Sequence, residues 1–372
     1  MDYKEIKFSR DQGTDFINTL RKRVRGYFKE KEIDTHANGR MIFKTIFMLS
    51  LYYVPYILVV ANASTNIWIT TGLWALMGFG MAGIGLSVMH DANHGAYSKN
   101  KTTNRIIGLV LNALGGSAKN WQMQHNVLHH SFTNIHGLDE DISPPAAILR
   151  FSPHEKLNKI HRFQFIYAWF FYGLMSLSWI TNKDFAALNR YKKLGLTKSY
   201  GKSHSYLVWE LIISKVIYYG YMLVIPLLVV ESPWYTIVLQ FLLLHFICGV
   251  SLAAIFQPAH VMTSTEYPLP DENGNLENNA AVHQLITTTN FAARNRPFSW
   301  FVGGLNYQVE HHLFPNICHI HYRAISGIVE KTAKEFGLPY HTKRTFRGAL
   351  LEHTRMLKRL GREESIDGWV AH

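Results

Sequence analysis

Four stretches of this chain are apolar enough to cross a bilayer, which takes ~20 residues. They run over 45–61, 68–89, 206–230 and 234–256. The first carries Pro55, which a membrane helix tolerates. A few small polar residues at 63–66 separate the first two. Glu231, Ser232 and Pro233 separate the last two. Links this short make two helical hairpins, each crossing and returning. The arm 1–44, the segment 90–205 and the tail 257–372 then share one side. The two outer links hold no Lys or Arg, whereas arm, segment and tail are rich in both. Positive charge stays inside, so these parts and both termini are expected in the cytoplasm, at a bacterial inner membrane or the ER membrane. The expected fold is one all-α integral membrane domain: an arm (1–44), a hairpin (45–89), a segment (90–205), a second hairpin (206–256) and a tail (257–372). Four transmembrane helices would carry a cytoplasmic helical cap.

A fifth apolar stretch, 163–180, would move the tail to the other side if it spanned. It is therefore read as an in-plane helix with Trp169 and Trp179 at headgroup level. The polar loop 266–279 reads as an exposed excursion, and 345–360 as a basic amphipathic helix on the membrane or the domain. The net charge of +12 suits an anionic membrane surface or an acidic partner. No nucleic-acid motif accompanies it. Cys248 and Cys318 lie too far apart in sequence to suggest a thiolate site or a disulfide framework. Gly78, Gly80 and Gly83 form GxGxxG, but inside an apolar run, without the strand that a dinucleotide site requires. They read as helix-packing glycines.

Histidine is abundant, at 20 residues, and clustered. His90-Asp91-Ala92-Asn93-His94 follows the second span. His125-Asn126-Val127-Leu128-His129-His130 and Gln308-Val309-Glu310-His311-His312 come later. On a helix, residues four apart share a face, so His90 with His94, and His125 with His129, can each address one metal. His130 is turned by about 100° and would reach a neighbouring metal. All three clusters fall on the cytoplasmic side and can converge. His36, His136, His154, His161, His204, His321, His341, His353 and His372 stand apart and read as ordinary surface or core residues. One zinc takes four ligands, so seven clustered imidazoles point to two metals. Imidazole alone does not choose between Zn, Cu, Fe and Ni. Attack on an unactivated C–H bond of a lipid would need a redox metal and O2.

The boxes HDANH, HNVLHH and QVEHH, in this order around two hairpins, resemble those of the membrane fatty acid desaturases. Gln308 at the head of the third box, and the following Leu313–Pro315, resemble the front-end branch, which adds a double bond between an existing one and the carboxyl end. Three features depart from common patterns. No fused cytochrome b5 segment is present, the first box is shorter than in the stearoyl-CoA branch, and the segment His161-Arg162-Phe163-Gln164-Phe165 has Phe where relatives commonly have His. The resemblance implies two irons (Fe2+/Fe3+), O2 as cosubstrate, and a fatty acyl-CoA or acyl-lipid substrate held in a dry tunnel. It implies His90, His94, His125, His129, His130, His311 and His312 as ligands, with Gln308 beside them. The family's ligand at the end of the fourth span is best matched by His260, with His283 as competitor. His245 lies ~22 Å of helix earlier and reads as interhelical glue or tunnel lining. Ligating imidazoles usually donate their other N–H to a carboxylate or carbonyl. Asp91 and Glu310 lie inside boxes, and Asp139-Glu140-Asp141 follows one. Asn290 and Asn306 are further candidates for orienting ligands. No haem, flavin or nicotinamide motif is present, so the two electrons would come from a separate ferredoxin or cytochrome b5. Two alternatives stay open: a di-iron hydroxylase or ketolase, and a His-rich metal transporter, although transporters usually place ligands at mid-membrane.

Overall fold

The structure is a computed structural model, and it describes residues 3–9, 13–143 and 147–363; His372 lies outside them. Among the described residues, four helices are long and apolar enough to cross a membrane: Gly39–Val60, Ile67–Asn93, His204–Val229 and Trp234–His260. The chain divides into two compact units, one of 37–123 and 169–253, the other of 1–36, 124–168 and 254–372.

The first of these units holds most of the apolar spans. Asn38 caps Gly39–Val60 by accepting from Arg40 N, and Asn66 caps the next helix by accepting from Trp68 N and Ile69 N. These side chains satisfy amides that a helix start leaves open. The span begins at Gly39, ahead of the expected residue 45, because Lys44 is buried rather than left at a charged boundary. The hairpin links are tied together: Asn62 Nδ2 donates to Val229 O (2.7 Å), and Glu231 N donates to Asn62 Oδ1 (2.8 Å). Ile46, Ile57, Trp209, Val216 and Leu239 face outward, exposed, as a lipid-facing surface requires.

The GxGxxG glycines are helical and packed. A Cβ on Gly80 would lie 2.8 Å from Leu51 C and Tyr52 N, and one on Gly78 would lie 2.7 Å from Leu244 O. They let helix backbones touch, as small residues do in membranes. His245 bonds across helices as expected of interhelical glue, Nδ1 with Ser176 Oγ (3.1 Å) and Nε2 with Tyr218 OH (2.9 Å). The fifth apolar stretch is not one straight helix. Lys159–Gly173 and Met175–Lys193 meet at 55°. Gly249 approaches the break so closely that a Cβ would lie 2.5 Å from Tyr172 O. Lys215 braces the segment that follows, donating to Trp179 O (2.8 Å), Gly115 O (3.1 Å) and Asp184 Oδ2 (3.3 Å).

In the other unit, Thr14–Glu30 buries Phe16, Leu20, Val24 and Phe28, at spacings of three and four residues. They join Ile325, Val329 and Ala333 of Tyr322–Glu335 and Val309 of the third box in one core. That core anchors the box from behind. Two short parallel ladders join distant segments: Lys7–Phe8 with Asn275–Leu276, and Thr289–Phe291 with His341–Lys343. The excursion at 266–279 is therefore tied back, with Leu276 buried against Phe132 and Ile135. Two isolated histidines are satisfied core residues: His161 donates to Ala147 O and His353 to Val261 O, while half-buried His154 donates to Tyr267 O, each at 2.8 Å.

Candidate metal centre

The second box lies on a π-helical stretch, Gln122–His129. Bonding from i to i+5 widens the turn, so residues five apart share a face. His130 therefore does not swing away from His125 as it would on an α-helix. Its Nε2 lies 3.2 Å from His125 Nε2 and 2.9 Å from His311 Nε2. Nitrogens bound at ~2.1 Å to one ion, about 90° apart, lie ~3 Å from each other. The spacing of these three imidazoles fits a shared cation.

A second grouping adjoins the first within the same unit. His129, His260 and His312 each offer a nitrogen within 4.8 Å of the others, as do His130, His311 and His312. For His129, His260, His311 and His312 the nitrogen not offered is engaged elsewhere. His129 Nδ1 lies 3.0 Å from Asp139 Oδ1. Burial works against the imidazolium of His129, but Asp139 and Asp141 outweigh it and hold the pKa up at about 9. His260 Nδ1 donates to Thr287 O (3.2 Å), and its Nε2, deeply buried, has no hydrogen-bond partner among the described residues. His312 Nδ1 meets Gln284 Oε1 at 2.8 Å, and His311 Nδ1 meets Tyr322 OH at 3.1 Å. Nδ1–H held by an oxygen fixes the tautomer that presents Nε2 as a lone pair.

The supports are interlocked. Gln284 Nε2 donates to His130 O (2.8 Å), and Thr133 Oγ1 donates to His129 O (2.7 Å) and Gln284 Oε1 (3.0 Å). Asn134, with φ 60°, donates N–H to Asp139 Oδ2 and Nδ2 to His260 O. Asn is among the few side chains that accept that backbone region. Gln284 and Tyr322 escape sequence reading, because each acts from a segment distant from the box it supports, and Thr133, just past the second box, bears no pattern that marks its role. Gln284 adjoins His283, but nothing local marks Tyr322.

Other predicted residues have defined places. Glu310 is buried and accepts from Asn290 Nδ2 and Tyr340 OH, both at 2.8 Å. Burial pushes its carboxyl up to about 7, against the pull of those bonds. Asn290 Oδ1 also accepts from Val309 N (2.9 Å), so this pair braces the third box. Asn306 instead holds Phe291 O and Ser299 Oγ. Gln308 is buried, and its Nε2 has no hydrogen-bond partner among the described residues. His283 donates Nε2–H to Thr133 O (2.8 Å) and belongs to neither grouping. Burial holds its pKa down at about 4.

In the span-rich unit, the first box continues the helix Ile67–Asn93 after a π-helical turn, Ile84–Val88. The rings of His90 and His94 lie 4.7 Å apart, each 5.4 Å from that of Trp121. His90 Nδ1 is 3.8 Å from Asp91 Oδ1.

A family profile described as fatty acid desaturase matches residues 66–344. An acyl-lipid (8-3)-desaturase of Physcomitrium patens is 35% identical over 98% of this chain and 75% of its own. An sn-1 linoleoyl-lipid 6-desaturase of Synechocystis sp. is 33% identical over 96% of this chain and 98% of its own. An acyl-lipid (8-3)-desaturase of Mortierella alpina is 32% identical over 94% of this chain and 78% of its own.

Proposed function

Because this chain belongs to the fatty acid desaturase family, and so is a membrane oxidoreductase of acyl chains, we propose that it acts as a front-end desaturase on fatty acids esterified in membrane lipid. The family implies O2-dependent chemistry at two irons. The ligands we assign are His90, His94, His125, His129, His130, His260, His311 and His312, with Gln308 near one iron, directly or through water. The observation that carries the assignment is the approach of His130 Nε2 to His125 Nε2 and His311 Nε2 at 3.2 and 2.9 Å. Unprotonated imidazoles do not hold lone pairs so close without a cation or proton between them. The orphaned Nε2 of His260 supports a second such position. His283, committed to a backbone carbonyl, is the weaker candidate.

When bound, the irons supply the O2 activation that removes hydrogen from two adjacent carbons. The protein's part is to hold the imidazoles in one tautomer. Asp139, Thr287 O, Gln284 and Tyr322 do this. The apolar hairpins supply the dry acyl path. The cluster-bearing parts and both termini face the cytoplasm in this reading, where a separate ferredoxin or cytochrome b5 delivers electrons. The acyl-lipid and front-end assignments rest on the relatives named as acyl-lipid and linoleoyl-lipid desaturases. Expression in a host without desaturases, fed linoleate, tests both. The expected product carries a new cis double bond on the carboxyl side, and it appears in glycerolipid before the acyl-CoA pool. A hydroxylated product, or first appearance in acyl-CoA, would overturn the respective part.

A further inference from the structure

The amphipathic helix Phe346–Leu360 has a face that the chemistry above does not use. Ala349, His353, Met356, Leu357 and Leu360 are buried. On the opposite side Arg347, Leu351, Arg355, Lys358 and, just past the helix, Arg362 are exposed at spacings of three and four residues. The acids nearby cancel only part of this stripe. Glu352 pairs with Arg355, a member of the stripe, and accepts from Thr263, while Glu363 pairs with Arg359 outside it, which leaves the stripe net positive.

The stripe borders an apolar surface. Gln164 Nε2 donates to Leu357 O (2.8 Å), joining the helix to the segment 159–173. Lys358 Nζ and the Arg362 guanidinium each lie 5.8 Å from the Phe165 ring centroid. That segment exposes Ile160, Phe163 and Ile166, at 53%, 54% and 62%, with Arg162 exposed among them. Cations beside outward apolar side chains are what an interfacial surface needs, with long cationic side chains reaching the headgroups. A soluble acidic protein would match the charges but leave the three large apolar side chains in water. The other basic face, on Thr14–Glu30, differs: Arg21, Lys22 and Arg25 are exposed, with no large exposed apolar side chain on that helix.

We propose that Phe346–Leu360 lies along the bilayer surface and that Arg347, Arg355, Lys358 and Arg362 grip anionic phospholipid headgroups, while Ile160, Phe163 and Ile166 enter the acyl layer beside them. The inference rests on the chain being membrane-embedded, not on the reaction it performs. Each cation near an anionic surface adds attraction that falls off within a Debye length.

The test is amide hydrogen exchange of the full chain in nanodiscs of phosphatidylcholine, with and without phosphatidylglycerol. Phosphatidylglycerol is expected to slow exchange over 346–362 by about tenfold in the wild type. Replacing the four cations by Gln should abolish the difference, whereas replacing Arg21, Lys22 and Arg25 should leave it intact. High salt should erase it in the wild type, a check independent of the variant's folding. Equal exchange in both compositions overturns the proposal. So does protection by an added acidic soluble protein in phosphatidylcholine with none from phosphatidylglycerol, since the stripe would then be a protein-docking face.

Discussion

Asp139 Oδ1 lies 3.0 Å from His129 Nδ1, both groups buried, and the same carboxylate accepts the amides of Asn134 and Asp141. One carboxylate thus sets the tautomer of an assigned ligand and shapes the loop that follows its box. Asp139→Asn keeps the volume but removes the charge. Loss of such a support typically costs about 10–100-fold in metal affinity or activity. Iron per protein and turnover should fall together in this variant, while its circular dichroism stays that of the wild type. Unchanged iron content would separate Asp139 from the metal.

His260 and His283 make a matched pair, both buried and both bonded to backbone carbonyls, at Thr287 and Thr133. Only His260 groups with His129 and His312. His260→Ala should lower iron content as much as His312→Ala does. His283→Ala should spare iron and instead destabilise the fold, because Thr133 O loses its donor and a cavity opens. The expected loss is about 2 kcal/mol, read as a lower melting temperature. The reverse ranking would move the ligand role to His283.

Much of this was legible in the sequence, and what escaped did so for physical reasons. Apolar run length located all four spans, because the bilayer sets that length whatever the tertiary contacts. The same signal lost the helix ends. Ile67–Asn93 and Trp234–His260 run on through polar residues that a buried site keeps inside. The box spacings marked His125, His129 and His130, and His130 groups with His311 and His312, but the α-helical period did not show its approach to His125. The π-helical stretch that brings it to His125 leaves no trace in a pattern of apolar residues. Asp139 was within view because it lies ten residues from its histidine. Gln284 and Tyr322 were not, since contact with His312 and His311 arises only when distant segments pack.

Gln308 offers a contrast between stability and function. Its Nε2 is buried without a hydrogen-bond partner among the described residues, a state that costs about 1–3 kcal/mol. Gln308→Leu removes the amide at similar volume. Its melting temperature should equal or exceed that of the wild type, while turnover collapses. A variant that loses stability and keeps activity would make Gln308 a packing residue.

Two glycines of one helix test the packing of the first hairpin. A Cβ on Gly80 would meet backbone atoms of Leu51 and Tyr52 at 2.8 Å, whereas one on Gly72 would meet nothing within 4 Å. Backbone cannot step aside as a side chain can. Gly80→Ala should cost about 1–3 kcal/mol in detergent unfolding, and Gly72→Ala should be neutral or slightly stabilising. Equal effects would mean that the two helices are not held backbone to backbone at Gly80.

The electron supply closes the chemistry. Each double bond consumes two electrons, and the sequence holds no haem-attachment, iron–sulfur, flavin or nicotinamide motif. Arg21, Lys22 and Arg25 stand exposed on Thr14–Glu30, without the apolar surroundings of the lipid-facing stripe. An acidic donor of the ferredoxin or cytochrome b5 type would be steered to that face. Turnover of the purified protein should require an added donor, and its rate should fall as salt rises, because steering is screened within ~10 Å at about 0.1 M. Arg21→Gln, Lys22→Gln and Arg25→Gln together should slow donor-driven turnover about tenfold and leave turnover with a small chemical reductant intact. That second readout separates docking from damage at the metals. Sustained turnover with nicotinamide cofactor alone would refute the separate donor, and a rate indifferent to both salt and the three substitutions would refute the docking face.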